Sequence, residues 1–478
     1  MLRIRTASLL AGLVSMTACA VNPATGERQL SLISERQEIT IGQDGAKDVQ
    51  ASLGIVQDPA LESYVAGIGD RLAATSERPD LPWSFEVVDD PGVNAFALPG
   101  GFIYVTRGIL PYFQNEAELA GVLGHEIGHV TARHSVTQMS RQQLEQLGLG
   151  VGMILSEDVR QFGDILSAGL GLLNLKYSRG DETQADELGV RYMSRAGYDP
   201  MTLIGVFQML ASVSGGAGTR VPEWQLTHPY PENREAHIRD FIASTGAPDT
   251  GMVKRDALLD HIDGLVFGED PREGYFKDGL FLHPQLAFQL RFPDGWKTVN
   301  ERTQVAAVSS GQDAAVILEP VSDTQDPEAA LRTFLSGDGV TGGTLRRSDA
   351  NGIPRVRATF TASTQGGDVQ GEAMYLSYGG AVYRILGYAK AGAWSGYASV
   401  AGRTMESFAP VTDPAVLSVQ PRRLEVVTLP RTMTLSEFAQ AYPSAVSLEE
   451  LGRLNRRAAG DRIPAGAQVK RVVGDPLP

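Results

Sequence analysis

The strongest constraint on the fold is the pentapeptide His125-Glu126-Ile127-Gly128-His129, in which two histidines lie four residues apart. At this spacing both imidazole rings project from one face of an α-helix, so they can bind one metal ion. Glu126 lies between them, where its carboxylate can take a proton from a metal-bound water. Helical spacing of the surrounding apolar residues also predicts a helix here: Leu119, Val122, Leu123, Ile127 and Val130.

A third ligand is available in the run Ser178–Asp186, which is compatible with a helix. A catalytic zinc needs three protein ligands and one open position, and Glu182 supplies a carboxylate to join the two histidines. Asp186, four residues later, can accept the spare N–H of a ligand histidine and fix its tautomer. The alternative is a solvated acidic helix. We predict one Zn²⁺ per chain, bound by His125, His129 and Glu182.

A possible substrate-binding strand precedes the motif helix in the segment Asn94–Gly101. An edge strand beside the cleft can pair with the backbone of an extended peptide, which nominates Asn94, Ala95 and Phe96 as substrate-binding residues. The alternative is a purely structural hairpin.

Two polar residues later in the chain are further candidates for the site. His228 and Arg234 are groups of the kind that stabilise an oxyanion, which makes both candidate catalytic residues. The alternative for His228 is a surface histidine in a turn before a helix, and the sequence alone favours that alternative. His134 lies on a different helix face from His125 and His129, so we expect it to support the site or the fold rather than bind the metal.

The N-terminus has the pattern of an export signal. Arg3 and Arg5 precede a short apolar stretch, residues 7–14, and then Cys19, the only cysteine of the chain. Residues 1–19 resemble a lipoprotein signal peptide, in which the cysteine is lipidated and becomes the first mature residue. Since Ala20 is no retention signal of the aspartate type, the resemblance implies anchoring to the outer membrane, facing the periplasm. The alternative is ordinary cleavage with loss of the cysteine.

The rest of the chain is predicted to be an α+β, multidomain protein. An extended tether at residues 20–30 leads into a mainly helical metalloprotease domain with a small sheet, assigned to residues 22–264. Residues 265–415 form an α+β domain, in which Phe292–Trp296 resembles the PsbP/Mog1-type sandwich. The net charge of −14 leaves nothing to neutralise a phosphate backbone, so we exclude nucleic-acid binding.

The last segment, residues 420–478, is predicted to fold as strand, helix, helix and strand. Leu454-Asn455 and Ile463–Gly466 resemble a LysM module, and this resemblance implies contact with peptidoglycan. The alternative is a small βααβ cap on the preceding domain.

Four segments together resemble one peptidase family: HEIGHVTARH at 125–134, SRGDETQAD at 178–186, NAFALPGG at 94–101 and THPYPENR at 227–234. It is the gluzincin family of CAAX prenyl proteases and HtpX, and the chain is most similar to the soluble, periplasmic BepA-type branch. The resemblance implies that the zinc ligands are His125, His129 and Glu182 and that the general base is Glu126. It also implies that Asp186 supports a ligand, that His228 is a displaceable fourth ligand and that Arg234 is an active-site partner. Prenyl-protein processing is not expected, since the transmembrane helices of the integral members are absent.

The predicted function is that of a zinc metalloendopeptidase. We expect it to cleave unfolded or misassembled polypeptides of the cell envelope, as part of protein quality control. One alternative is an envelope chaperone or assembly factor with a latched or vestigial zinc site. A second is a peptidoglycan-associated hydrolase, suggested by the LysM-like end and opposed by the peptidase motifs.

Overall fold

The computed structural model describes residues 19–148, 176–214, 224, 228, 233–246, 250–321, 324–364 and 367–477. The predicted signal peptide, apart from Cys19, lies outside the described residues. The described chain forms two compact units. One contains the residues up to Glu269 together with Arg422–Gly474, and the other contains Asp270–Pro421. Within the described residues, no helix combines the length and apolar character needed to cross a bilayer.

The first element is a β-hairpin, not the extended tether that we predicted. Strand β1 (Cys19–Val21) pairs antiparallel with β2 (Arg28–Leu30). The turn closes because the Asn22 carbonyl accepts the Gly26 N–H, at 2.8 Å, and Gly26 adopts φ +75°. A glycine takes this left-handed conformation without steric cost. Because glycine is common in tethers as well as in tight turns, the sequence did not distinguish the two.

The predicted α+β architecture of the first unit is confirmed. Its next elements are α1 (Glu35–Ser52), α2 (Pro59–Ala73), β3 (Ser84–Val88), β4 (Ala95–Leu98), β5 (Phe102–Thr106) and α3 (Glu116–Thr131). The sheet has the order β3-β5-β4, with β3 parallel and β4 antiparallel to β5. Helix α3 begins where the Asn115 side chain accepts the Glu118 N–H, at 3.0 Å, which satisfies one free backbone donor.

Helix α3 lies in the centre of this unit, and all of its residues are buried. Around and after it come α4 (His134–Gly148), α5 (Arg179–Arg195), α6 (Thr202–Ser214), α7 (Arg234–Thr245) and α8 (Arg255–Ile262). Helices α3 and α5 pack closely, because a Cβ on Gly128 would lie 3.0 Å from the Ala185 carbonyl oxygen. Only glycine leaves room for this approach.

The second unit is a β-rich α+β structure. Its strands are β6 (Tyr275–Lys277), β7 (Leu280–His283), β8 (Phe288–Arg291), β9 (Lys297–Glu301), β10 (Gln304–Val308), β11 (Ala314–Val321), β12 (Val340–Gly342), β13 (Arg346–Ala350), β14 (Ile353–Thr364), β15 (Gly367–Tyr378), β16 (Ala381–Lys390) and β17 (Ala409–Pro410), and its helices are α9 (Pro327–Leu335), α10 (Trp394–Glu406) and α11 (Pro414–Leu417). The larger sheet has the order β12-β14-β15-β16-β11-β10-β9, with β13 on β14, and the smaller has the order β17-β8-β7-β6. The likeness to a PsbP/Mog1-type sandwich stays a prediction.

The last segment has the predicted order of strand, helix, helix and strand. It consists of β18 (Arg423–Thr428), β19 (Met433–Thr434), α12 (Leu435–Ala441), α13 (Leu448–Asn455), β20 (Arg462–Ile463) and β21 (Gln468–Val473). Strands β18 and β21 pair antiparallel, and so do the short β19 and β20. Leu424, Leu454 and Val472 belong to the same apolar core as Leu119 of α3. The segment therefore packs onto the metalloprotease domain, whereas the cap alternative placed it on the preceding domain, and its likeness to LysM stays a prediction.

Buried polar contacts hold this segment to the start of α3. The Lys470 side chain is fully buried, and its Nζ donates to the carbonyl oxygens of Pro111 and Phe113, both at 2.7 Å. Burial holds the pKa of Lys470 well below its usual range. Arg456 donates both Nη groups to the Glu118 carboxylate, each at 2.7 Å. Such paired, charge-assisted bonds specify where the segment docks.

We predict that Lys470→Ala destabilises the first unit by about 2–4 kcal/mol, because it leaves two buried carbonyl groups without their donor. Urea denaturation measures the loss. Arg462→Ala, which removes an exposed cation from the same segment, is the matched control and should change stability by less than about 0.5 kcal/mol. Equal effects of the two substitutions would contradict the role given to Lys470.

Candidate metal centre

Four buried side chains converge on one point between α3 and α5. His125, His129, Glu182 and His228 each offer one ligand atom, and these atoms all lie within 4.8 Å of one another. The Nε2 atoms of the two motif histidines are 3.0 Å apart. Helix α3 supplies both at the predicted spacing, and α5 brings Glu182 opposite them. The three predicted ligands are thus brought together.

Glu182 and His228 complete the cluster. The Glu182 carboxylate lies 3.6 Å from His125 Nε2 and 3.4 Å from His129 Nε2. His228 Nδ1 lies 2.9 Å from Glu182 Oε1 and 3.4 Å from His125 Nε2. Burial opposes ionisation of Glu182, but the imidazoles of His228 and His129 outweigh it and hold the pKa of the carboxyl well below its usual range. The site therefore offers an ionised oxygen among imidazole nitrogens, which suits a divalent transition metal.

The orientation of His125 is fixed by an ion pair behind it. His125 Nδ1 lies 2.8 Å from Asp186 Oδ1, and Arg234 donates Nε and Nη2 to the two oxygens of Asp186, both at 2.6 Å. Burial opposes ionisation of Asp186, but the Arg234 guanidinium and the bond from His125 hold its pKa below the usual value. An ionised Asp186 accepts the His125 Nδ1–H, which leaves Nε2 free to bind a metal. Asp186 thus lies where its predicted role requires, and Arg234 lies against Asp186.

A second arrangement lies behind His129. His134 Nδ1 is 2.9 Å from His129 Nδ1, and His134 Nε2 is 2.8 Å from Gln184 Oε1. Tyr177 stacks on the His129 ring, with centroids 3.9 Å apart. Burial lowers the pKa of both His129 and His134, which favours their neutral forms. His134 therefore supports a ligand, as we expected. Sequence reasoning missed Tyr177 and Gln184, although both flank the capping box that opens α5.

Glu126 lies beside the cluster with a carboxylate that has no hydrogen-bond partner among the described residues. The Nε2 atom of His228 lies 3.8 Å from Glu126 Oε1. Burial raises the pKa of Glu126, so the carboxylate has a stronger affinity for a proton than one in water. A buried, unpartnered carboxylate normally costs stability, and here it has the position of a general base.

His228 is buried, so the surface position that the sequence favoured for it is wrong. It is 2% exposed, and Trp224 stacks on its ring with centroids 4.2 Å apart. Burial opposes protonation, but the carboxylates of Glu182 and Glu126 raise the pKa of His228 above its ordinary value. The sequence carries no local signal for this burial, since it depends on contacts with two helices far away in the chain.

The predicted substrate strand lies at an edge of its sheet, outside the four-residue cluster. Strand β4 is the last in the order β3-β5-β4, and the side chains of Ala95 and Phe96 are buried. The backbone of Asn94 is tied to Thr106, whose Oγ1 accepts the Asn94 N–H at 3.0 Å. Substrate binding by these residues stays a prediction.

The donor set fits a metal ion. The cluster offers two imidazole Nε2 atoms, whose rings are held through Nδ1, and one ionised carboxylate. These groups match the ligands of a hydrolytic metal centre, and the neighbouring, unpartnered Glu126 matches its base. His228 occupies the position of a fourth donor.

We predict that Asp186→Ala weakens Zn²⁺ binding about tenfold or more, because His125 loses the acceptor that fixes its tautomer. A competition titration with a chromogenic chelator measures the dissociation constant. The neighbouring Glu187→Ala is the control, since Glu187 pairs with the half-exposed His237, 3.0 Å away, and not with the cluster. Equal affinities in the two variants would show that the ion pair is not needed to orient His125.

Comparison with known proteins agrees with this geometry. Residues 59–242 match peptidase family M48. The chain is 32% identical over 228 residues to a beta-barrel assembly-enhancing protease of Yersinia pestis, covering 46% of each chain. It is 31% identical over 230 residues to the mitochondrial metalloendopeptidase OMA1 of Schizosaccharomyces pombe, covering 46% of this chain and 65% of that one. It is 28% identical over 238 residues to the metalloprotease YcaL of Escherichia coli, covering 48% and 89%.

These matches cover only part of the chain. The chain spans about half the length of the assembly-enhancing proteases it matches, at 46%. The matched residues 59–242 include every member of the metal cluster and the residues behind it. The chain therefore carries a metallopeptidase domain of peptidase family M48 at residues 59–242.

Proposed function

We propose that this protein is a zinc-dependent endopeptidase that hydrolyses peptide bonds in unfolded or misassembled proteins of the cell envelope. One observation carries the proposal: His125, His129 and Glu182 converge in a buried cluster, and the unpartnered carboxylate of Glu126 lies next to it. Zinc is the metal that best matches two imidazoles and one carboxylate with a further position for water.

The chain's own residues divide the work of peptide hydrolysis. Zinc, when bound, supplies Lewis-acid activation of water and of the scissile carbonyl. Glu126 takes the proton of the attacking water and then delivers it to the leaving amine. Its raised pKa suits both steps, because such a carboxylate accepts a proton readily and still releases it.

We assign different roles to the two polar residues that the sequence nominated as catalytic. Arg234 is bonded to Asp186, so it acts by positioning that carboxylate and, through it, His125. His228 lies 3.8 Å from Glu126 and 2.9 Å from Glu182, inside the cluster itself. It acts as a displaceable fourth ligand that closes the site until substrate enters, and it can then donate to the oxyanion.

The substrate class and location are supported by the relatives' names and by the N-terminal sequence. Two similar proteins are called beta-barrel assembly-enhancing proteases, which fits polypeptide substrates in an envelope. The signal-like residues before Cys19 support export to the periplasm with a lipid anchor in the outer membrane. Contact of Arg422–Gly474 with peptidoglycan is a further part of this proposal, supported only by the LysM-like sequence.

A second candidate is a chaperone or assembly factor whose metal site stays latched. It is favoured by the burial of the whole cluster, in which His125, Glu126, His129, Glu182 and His228 are at most 2% exposed. This candidate would be favoured if the Glu126→Gln protein prevents aggregation of unfolded proteins and the wild type cleaves nothing under any condition.

We predict that Glu126→Gln keeps zinc and reduces casein cleavage by about 10²–10⁴-fold, because the amide cannot accept the water proton. Zinc content and cleavage are measured on the same preparation, and a chelator should abolish wild-type cleavage until Zn²⁺ is returned. Glu187→Gln is the control, as a change at a partly exposed position of α5. Proteolysis retained by Glu126→Gln at wild-type rates would refute the mechanism.

We predict that His228→Ala keeps zinc bound and raises cleavage of unfolded substrates, because three ligands remain and the fourth position opens. The half-exposed His237→Ala is the matched control. Loss of zinc from His228→Ala would make the residue an obligatory ligand. Lower cleavage with zinc retained would show that the bond from His228 to the oxyanion outweighs its effect as a displaceable ligand, which would contradict the prediction.

A further inference from the structure

The N-terminal hairpin contacts the residues behind His129. The loop between β1 and β2 begins at Asn22, which is 6% exposed. Its Nδ2 donates to Gln184 Oε1 of α5 at 3.2 Å. Gln184 is the same residue whose Oε1 contacts His134, so Asn22 joins the arrangement that ends at His129. The residues that follow the predicted export signal thus reach the metal centre through hydrogen bonds.

The orientation of the Asn22 amide is set by the backbone. Its Oδ1 accepts the Ala24 N–H at 2.9 Å within the hairpin turn. A backbone N–H can only donate, so the oxygen of the amide must face Ala24 and the NH₂ must face Gln184. This fixes one end of the chain of hydrogen bonds without reference to any histidine.

Each later bond then has a single allowed direction. Gln184 must present its oxygen to the Asn22 NH₂, and this oxygen also faces His134 Nε2 at 2.8 Å. His134 therefore carries its proton on Nε2, and its Nδ1 is an acceptor. His129 Nδ1, 2.9 Å from that acceptor, must be the donor. The His129 proton thus lies on Nδ1, and the lone pair of Nε2 points into the cluster.

The two motif histidines are consequently oriented by partners of different charge. His125 donates to the ionised Asp186, whereas His129 donates to a neutral imidazole whose other nitrogen faces the Gln184 amide oxygen. The Asp181 carboxylate lies 3.8 Å from that same nitrogen, so on this side the His134 ring separates a carboxylate from the ligand histidine.

We propose that Asn22, Gln184 and His134 are positioning residues of the metal centre, which hold His129 in its metal-binding tautomer through a directed chain of hydrogen bonds that starts in the N-terminal hairpin. The inference deepens the proposed function, because it concerns the same site. It is tested by zinc affinity and not by cleavage, so it can fail while the peptidase assignment stands.

Asn22→Asp is the most direct test, because it preserves the shape and the Ala24 bond but replaces the donor by an acceptor. Gln184 must then turn its NH₂ toward the new carboxylate and toward His134. This reverses every later bond and moves the His129 proton to Nε2, the atom that the metal needs. We expect the Zn²⁺ dissociation constant to rise about tenfold. An unchanged thermal midpoint of the metal-free protein shows that the hairpin still folds.

Two conservative substitutions serve as controls. Gln184→Glu keeps an acceptor toward both Asn22 and His134, so zinc affinity should match or exceed that of the wild type. His134→Asn places an amide oxygen near the position of Nδ1 and should retain most of the affinity, whereas His134→Leu should lose about tenfold. A structural role alone would make the two His134 variants similar, since both remove the ring.

The inference is supported if Asn22→Asp and His134→Leu bind zinc more weakly than the wild type while Gln184→Glu and His134→Asn bind it nearly as well. Wild-type affinity in a folded Asn22→Asp protein overturns it. If Asn22→Asp lowers the thermal midpoint, the two His134 variants decide, and equal affinities of that pair overturn the inference. A wild-type protein that binds no zinc would instead refute the proposed function.

Discussion

The close approach of helices α3 and α5 is the constraint on which the metal centre depends. Glycines on both helices make it possible: a Cβ on Gly189 would lie 3.1 Å from the His125 nitrogen, and one on Gly124 would lie 3.3 Å from the Gly189 Cα. Because the backbones are nearly in contact, the short side chain of Glu182 reaches the two motif histidines. A methyl group at this interface would push the carboxylate away from the imidazoles, so Gly128, between the two motif histidines, is needed for the ligands to meet.

The residues around the cluster offset the cost of burying its polar groups. Groups behind the ligands are satisfied by directed partners, such as Asp186 by Arg234 and His134 by Gln184. Inside the cluster, unlike charges lie close together. Both carboxylate oxygens of Glu126 and one of Glu182 lack a hydrogen-bond partner among the described residues. Such oxygens normally destabilise a fold, and here they belong to the two residues whose proposed roles require a free oxygen.

Local signals in the sequence predicted much of the fold and the centre of the site. The spacing of the motif fixed His125 and His129 on one helix face, and the run Ser178–Asp186, predicted to be compatible with a helix, forms the start of α5. What could not be predicted depends on distant contacts. The hairpin at Cys19–Leu30 and the burial of His228 are set by packing against α4, α5 and Trp224, and no periodic pattern within either segment encodes that packing.

The contacts of the residues Arg422–Gly474 have a consequence for how the metal centre forms. Glu118, in the first turn of helix α3, is bound by Arg456, which is separated from it by 338 positions along the chain. Lys470 reaches the carbonyl groups just before that helix across an even longer interval of 357 positions. Contacts of such high order form late, after the loops that separate them have closed. A chain that emerges from a ribosome therefore lacks these supports of helix α3 until residues 456–470 have been made. The residues of the metal cluster thus precede by more than 200 positions the contacts that hold the start of their helix.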